Sequence, residues 1–216
     1  MAHGSRQSVE NQTVKPEVVV VDDGSTDGSG AVWRDFHTIT NPRRGGAAYA
    51  RYIGLEYICQ HALADDVICL LDMDDRLMPH AIETAMNLHE AGAWVTYGGM
   101  VTNIRGRTDQ GEYPLHVRQN RTYRQHGFKG QPFRTFRAKL VKDMPQELFI
   151  FNDQWIEACT DLALMFYVME QAPADRVVYN PEPVYHYNMT NRTFSSYRRV
   201  NLKQRGEIRQ WIKNGL

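Results

Sequence analysis

Val67-Ile68-Cys69-Leu70-Leu71-Asp72-Met73-Asp74-Asp75 passes without a break from five apolar residues into acid. A short apolar run of this kind belongs to a strand buried on both faces, and the acids stand where that strand ends. The i, i+2 spacing of Asp72 and Asp74 puts both carboxylates on one side of an extended chain. Three acids in four residues repel one another in the absence of a cation. A second stretch has the same build. Glu17-Val18-Val19-Val20-Val21 leads into Asp22-Asp23-Gly24-Ser25-Thr26-Asp27-Gly28, a loop of turn formers and helix N-caps. A short helix through Trp33 and Phe36 follows. A longer one spans residues 45–61, opening on the small residues Gly46, Ala47, Ala48 and Ala50. Pro79 suits the first turn of a helix carried by Ile82, Met86 and Leu88 as far as Gly92, and residues 94–97 read as a third strand. The alternation predicts an α/β fold with a mostly parallel sheet flanked by helices. The second half is less regular, with helices expected at 161–171 and 196–214 and strands at 176–179 and 184–187.

The 216 residues fit one domain at about 150 residues per domain. It is expected over 1–195, with a basic helix over 196–216 packed on it or trailing it. Hydrophobic and aromatic contents of 42% and 11% exclude a disordered chain. No apolar run reaches the roughly 18 residues of a membrane span, and no secretory leader is present. Cys59, Cys69 and Cys159 are odd in number and form no CxxC. They read as reduced thiols of a cytoplasmic protein, neither a disulfide framework nor a zinc site. The 25 basic and 25 acidic residues cancel, which removes the general case for a nucleic-acid partner. Basic residues nevertheless gather over 104–143 and in the tail.

In open α/β sheets ligands bind beyond the carboxyl ends of the strands, so the two acidic clusters face one crevice. Carboxylates there hold a hard cation such as Mg²⁺ or Mn²⁺, accept hydrogen bonds from ribose or base, or simply cap the next helix. Three segments now carry a resemblance. Val19-Val20-Val21-Asp22-Asp23-Gly24-Ser25-Thr26-Asp27, Arg44-Gly45-Gly46-Ala47-Ala48-Tyr49-Ala50-Arg51-Tyr52-Ile53-Gly54 and Leu70-Leu71-Asp72-Met73-Asp74-Asp75-Arg76-Leu77-Met78-Pro79 resemble, in order and spacing, signatures of the inverting family-two nucleotide-sugar glycosyltransferases of GT-A fold. Thr160-Asp161-Leu162-Ala163-Leu164-Met165 resembles the segment carrying that family's catalytic base, and Tyr185-His186-Tyr187-Asn188 its late strand.

The resemblance implies a role for each matching position. Asp23, supported by Asp22, would bind base or ribose. Asp72 would contact ribose or the metal, and Asp74 would ligate the Mn²⁺ or Mg²⁺ that bridges the diphosphate of a UDP-sugar. Asp161 would deprotonate the acceptor hydroxyl, while Arg44 and Arg51 are candidate nucleotide contacts. The acceptor would be a glycan, a lipid-linked sugar or a protein, and direct attack by its hydroxyl would invert the anomeric centre. His186 reads as a packed strand residue rather than a metal ligand. Residues 133–137 are expected to be acceptor contacts or a solvated helix face. In the tail, Ile208, Trp211 and Ile212 lie opposite Lys203, Arg205, Arg209 and Lys213. That pattern reads as a docked helix before a peripheral contact with the cytoplasmic membrane face.

The family opens with a strand ahead of the segment resembling Ser8-Val9-Glu10-Asn11-Gln12-Thr13, and residues 1–7 carry no such strand. The expectation is an N-terminally shortened domain. Two rivals follow: a degenerate, non-catalytic binding module, and a haloacid-dehalogenase-type phosphatase with Asp72 as nucleophile. The second is disfavoured by Asp75-Arg76, where those enzymes carry a small pair.

Overall fold

The structure, a computed structural model, describes residues 2–102, 106–107, 110–189 and 202–215. α1 (Ala2–Glu10) leads to β1 (Val19–Asp22), a single 3-10 turn (Gly30–Trp33) and β2 (His37–Thr40). α2 (Ala47–His61), β3 (Val67–Leu70), β4 (Arg76–Leu77), α3 (Ala81–Glu90), β5 (Val95–Tyr97), β6 (Met100–Thr102) and β7 (Gly106–Arg107) follow. The second half adds α4 (Leu115–Gln119), α5 (Tyr123–His126), β8 (Arg134–Arg137), β9 (Ile150–Phe151) and β10 (Gln154–Trp155). It ends with α6 (Thr160–Gln171), β11 (Val177–Tyr179), β12 (Tyr185–Tyr187) and α7 (Leu202–Asn214).

Among the described residues the largest sheets have four strands, one in the order β11-β5-β8-β3 and one in the order β4-β12-β6-β7. β1 and β2 pair in parallel as a separate ribbon. The first sheet corrects the mostly parallel expectation. β11 and β5 are parallel, but β8 lies between β5 and β3 and runs antiparallel to both. Residues 134–137 are therefore a buried strand and not a solvated helix face. Their alternation explains the burial of so polar a stretch. Phe136 is fully buried in the core, and Arg134 on the same side finds Asp161. On the other side Thr135 meets Thr96 and His89, and Arg137 donates to the carbonyls of Asp65, His89 and Ala93. The helix expected through Phe36 stops after one 3-10 turn, and the chain enters β2, which pairs Val19 with His37.

The main core gathers on α6, where Leu164, Met165, Phe166, Val168 and Met169 are fully buried. A helix apolar on nearly every side belongs inside the molecule. The apolar side of α7 is also used internally, with Ile208 and Ile212 buried in the same core. Arg124 ties this corner together. It forks onto Glu170 at 2.6 and 2.8 Å and donates to the carbonyl of Ile212. Residues 196–201 of the expected tail helix lie outside the described residues. Helix α1 packs on β4: the Leu77 amide donates to Ser8 Oγ, and Gln12 Nε2 donates to the carbonyl of Met78. The three cysteines are free thiols. No helix among the described residues is long and apolar enough to cross a membrane.

Candidate active site

β1 ends at Asp22, and Asp72 lies just beyond β3. Asp22 is buried, and its Oδ1 accepts the amide of Ser25 at 3.0 Å. Its Oδ2 lies 2.0 Å from where a Cβ on Gly30 would sit, so a side chain there would have to displace the Asp22 carboxylate. Asp23 turns to α2. Its Oδ1 accepts from the Gly45 amide at 2.8 Å and Asn41 Nδ2 at 2.9 Å, and its Oδ2 accepts the Gly46 amide at 2.8 Å. Gly46 has φ 91°, a conformation that disfavours a side chain. Asp23 thus holds the start of α2, where a carboxylate suits amides without intrahelical partners. Arg44 is exposed in the loop entering that helix.

The acids after β3 divide by environment. Asp72 and Asp74 are exposed, whereas Asp75 is buried. Asp75 Oδ2 accepts the Tyr185 hydroxyl at 2.6 Å, and its Oδ1 accepts the Asn188 amide at 2.7 Å. Burial pushes the Asp75 carboxyl up to about 7, against the pull of those two donors. The Tyr185 oxygen also lies 3.4 Å from the Asp72 amide, which donates to it. β12 therefore pins the acidic loop from behind, aided by its pairing with β4. His186, on the same strand, pairs with Arg76 and Val101 in the sheet register.

Asp161 sits in the first turn of α6, and its Oδ2 accepts from Arg134 at 2.8 Å. Arg134 is nearly buried, and its Nε donates to the carbonyl of Gly130 at 2.8 Å, so the guanidinium is fixed at both ends. Arg134 faces Leu70 across the β3–β8 pair. This register brings the Asp161 carboxylate to the carboxyl end of β3. Arg51, from α2, closes the group: it donates to Asp72 Oδ1 at 3.1 Å and to Thr160 Oγ1 at 2.7 Å.

The structure thus joins Asp72 to Thr160, the residue before Asp161, through Arg51, with Asp74 on the same loop as Asp72. Asp22, Asp23 and Arg44 lie at the neighbouring end of β1 and start of α2. Thr160, Asp75 and Tyr185 had no assigned role in the sequence, and Arg134, expected among acceptor contacts, instead holds Asp161. The third acid of the run was the one available signal for Asp75; the others are set by pairing between distant segments. Asp72 and Asp74 suit a hard cation: Mg²⁺ binds through one or two carboxylates, substrate phosphates and water rather than in an all-protein cage. Among the described residues no group of three or more His, Cys, Asp or Glu converges on a metal position.

The profile of glycosyl transferase family 2 matches residues 6–145. Among solved structures, S. aureus TarS superposes with a TM-score of 0.62 at 19% identity, over 89% of this chain and 35% of that one. The structure described as S. aureus TarS 1-349 does so with the same score and identity, over 98% of this chain and 65% of that one. The chain thus spans about a third and about two-thirds of these neighbours, and at such identity the likeness is one of fold. No curated protein matches this chain. The family match spans the acids after both strands and the glycine-led helix between them, and the chain belongs to glycosyl transferase family 2, with a GT-A fold.

Proposed function

We propose that this chain transfers a sugar from a nucleoside diphosphate, by preference UDP, to an acceptor hydroxyl with inversion. The observation carrying this is the reach of one guanidinium from Asp72 to the first residue of α6, which sets the acids after β3 beside Asp161. In this reading Asp22, Asp23 and Arg44 flank base and ribose, and Asp72 and Asp74 would hold a divalent cation. When bound, that cation neutralises charge on the leaving group. Asp161 takes the proton of the acceptor hydroxyl as its oxygen forms the new bond to the anomeric carbon. The bond from that carbon to the diphosphate oxygen breaks on the opposite face, which inverts the centre. Arg134 fixes the carboxylate by holding Oδ2. The acceptor belongs to a glycan, a lipid-linked sugar or a protein. The phosphatase alternative, with Asp72 as nucleophile, gives way to the family match.

Melting the chain with UDP, GDP and dTDP, each with and without Mn²⁺, tests the donor half. Ligand at about 100 times its dissociation constant adds roughly 2.7 kcal/mol, a visible rise in Tm that is expected to need both nucleotide and metal. Asp161→Asn is expected to keep that rise and to lose transfer by at least about a hundredfold. Unchanged transfer in this variant would remove Asp161 as base. A wild-type chain that binds nucleotide yet transfers to no acceptor is the binding module instead.

A further inference from the structure

Arg51 lies on the second turn of α2, and its side chain is only 13% exposed. One arm donates to Asp72 Oδ1 on the acidic loop, the other to Thr160 Oγ1 at the first residue of α6. Asp72 lies in a loop held through the Asp75 amide, which donates to its carbonyl, and through Tyr185. α6 begins abruptly: Cys159 has φ 61° and supplies no side-chain cap. The first intrahelical bond there is from the Ala163 amide to the Cys159 carbonyl at 3.1 Å. The start of the helix that carries Asp161 is therefore secured partly by the hydroxyl that Arg51 grips. α2 itself is anchored at its beginning on Asp23. A single helix thus connects the acid after β1, the acid after β3 and the first turn of α6.

We propose that Arg51 is a positioning residue that couples the nucleotide–metal half of the site to the base half. Occupancy of the acidic loop is transmitted through its guanidinium to the first turn of α6 and so to Asp161. The inference rests on the proposed function, since it takes Asp72 as donor-binding and Asp161 as base. The fork matters as much as the charge. A guanidinium offers several donors in a fixed plane and can hold two acceptors apart, whereas a single ammonium is a point donor. Coupling of this kind is reciprocal: whatever fixes Asp161 also tightens nucleotide at Asp72.

The test is hydrogen exchange of the intact chain with and without UDP and Mn²⁺, read at Ala163 and at Asp75, together with the Tm shift. In the wild type, UDP with Mn²⁺ is expected to slow exchange at both amides. In Arg51→Gln, free exchange at Ala163 should speed up by roughly tenfold, and nucleotide should no longer protect it. Arg51→Lys should behave like Arg51→Gln despite its charge. Thr160→Val leaves Arg51 in place and should break the link alone, with a normal Tm shift on UDP and Mn²⁺ but no protection at Ala163. It also serves should the Arg51 variants fail to fold. If the wild type binds nucleotide and Ala163 is unaffected, or Thr160→Val transmits as well as wild type, the coupling role is wrong while the donor site stands. A wild type that binds no nucleotide of the panel overturns the proposed function and this inference together.

Discussion

At the scale of single residues, one buried histidine carries a consequence for stability. His89 is buried with both ring nitrogens engaged, Nδ1 on the carbonyl of Ala93 and Nε2 on Thr135 Oγ1. A carbonyl only accepts, so Nδ1 carries the proton, Nε2 accepts from Thr135, and Thr135 accepts in turn from Thr96. The neutral ring is fully satisfied, and burial lowers its pKa to about 4 from the ordinary 6.5. Between those values the unfolded chain binds more protons than the folded one. Stability from this group is therefore complete above about pH 6.5 and is lost as pH falls toward 4. From pH 7 to pH 5 the loss is about 2 kcal/mol. Asp75, held up to about 7, contributes in the opposite sense over the same range, so the His89 part is read as the difference between wild type and His89→Gln in urea unfolding at the two pH values. The same scale divides what could be read from the sequence. The places of Asp72 and Asp74 after a strand and of Asp161 at a helix start were legible from the sequence. Arg134 and Thr160 were not, because only the pairing of segments far apart in the chain gives them their partners.

Among the elements, β8 decides the sheet. It contributes one fully buried aromatic, Phe136, between two strands that do not pair with each other. Phe136→Ala is expected to cost about 3–5 kcal/mol, measured by chemical denaturation; a cost under 1 kcal/mol would mean the strand is not the centre of the core. The strands at Val67–Leu70, Val95–Tyr97, Val177–Tyr179 and Tyr185–Tyr187 were legible as apolar or β-branched runs, and the helices at Ala47–His61 and Thr160–Gln171 by their length and apolar content. β8 was not. Arg134-Thr135-Phe136-Arg137 has the composition of a surface, and it is buried because each charged or polar side chain finds a partner on a neighbouring strand, helix or loop. β2 was hidden for a related reason: His37-Thr38-Ile39-Thr40 is half exposed and draws its identity from pairing with β1. Helix α7 shows the reverse. Its two-sided pattern was plain, and the docked arrangement is the one in which Ile208 and Ile212 enter the core.

Across the whole molecule, the order of strands in space departs from their order in the chain. β3 and β5 are complete by residue 97, yet neither pairs with the other, and the strand that joins them begins at Arg134. Non-local pairing of this kind delays folding, because the loop must close before its contacts are rewarded. The consequence concerns birth rather than catalysis. During synthesis, which runs at about 5–20 residues per second, both halves of the sheet wait several seconds with unpaired edges, and an edge of that kind invites association with another chain. Nascent chains halted before residue 134 should therefore be cut rapidly by protease and bound by holding chaperones, and chains halted beyond the emergence of Gln171 should resist. Protection that appears before β8 has left the ribosome would show that the two strands find another partner first. The strand that brings Arg134 to the candidate base is thus also the one whose arrival ends the most aggregation-prone interval of this protein's life.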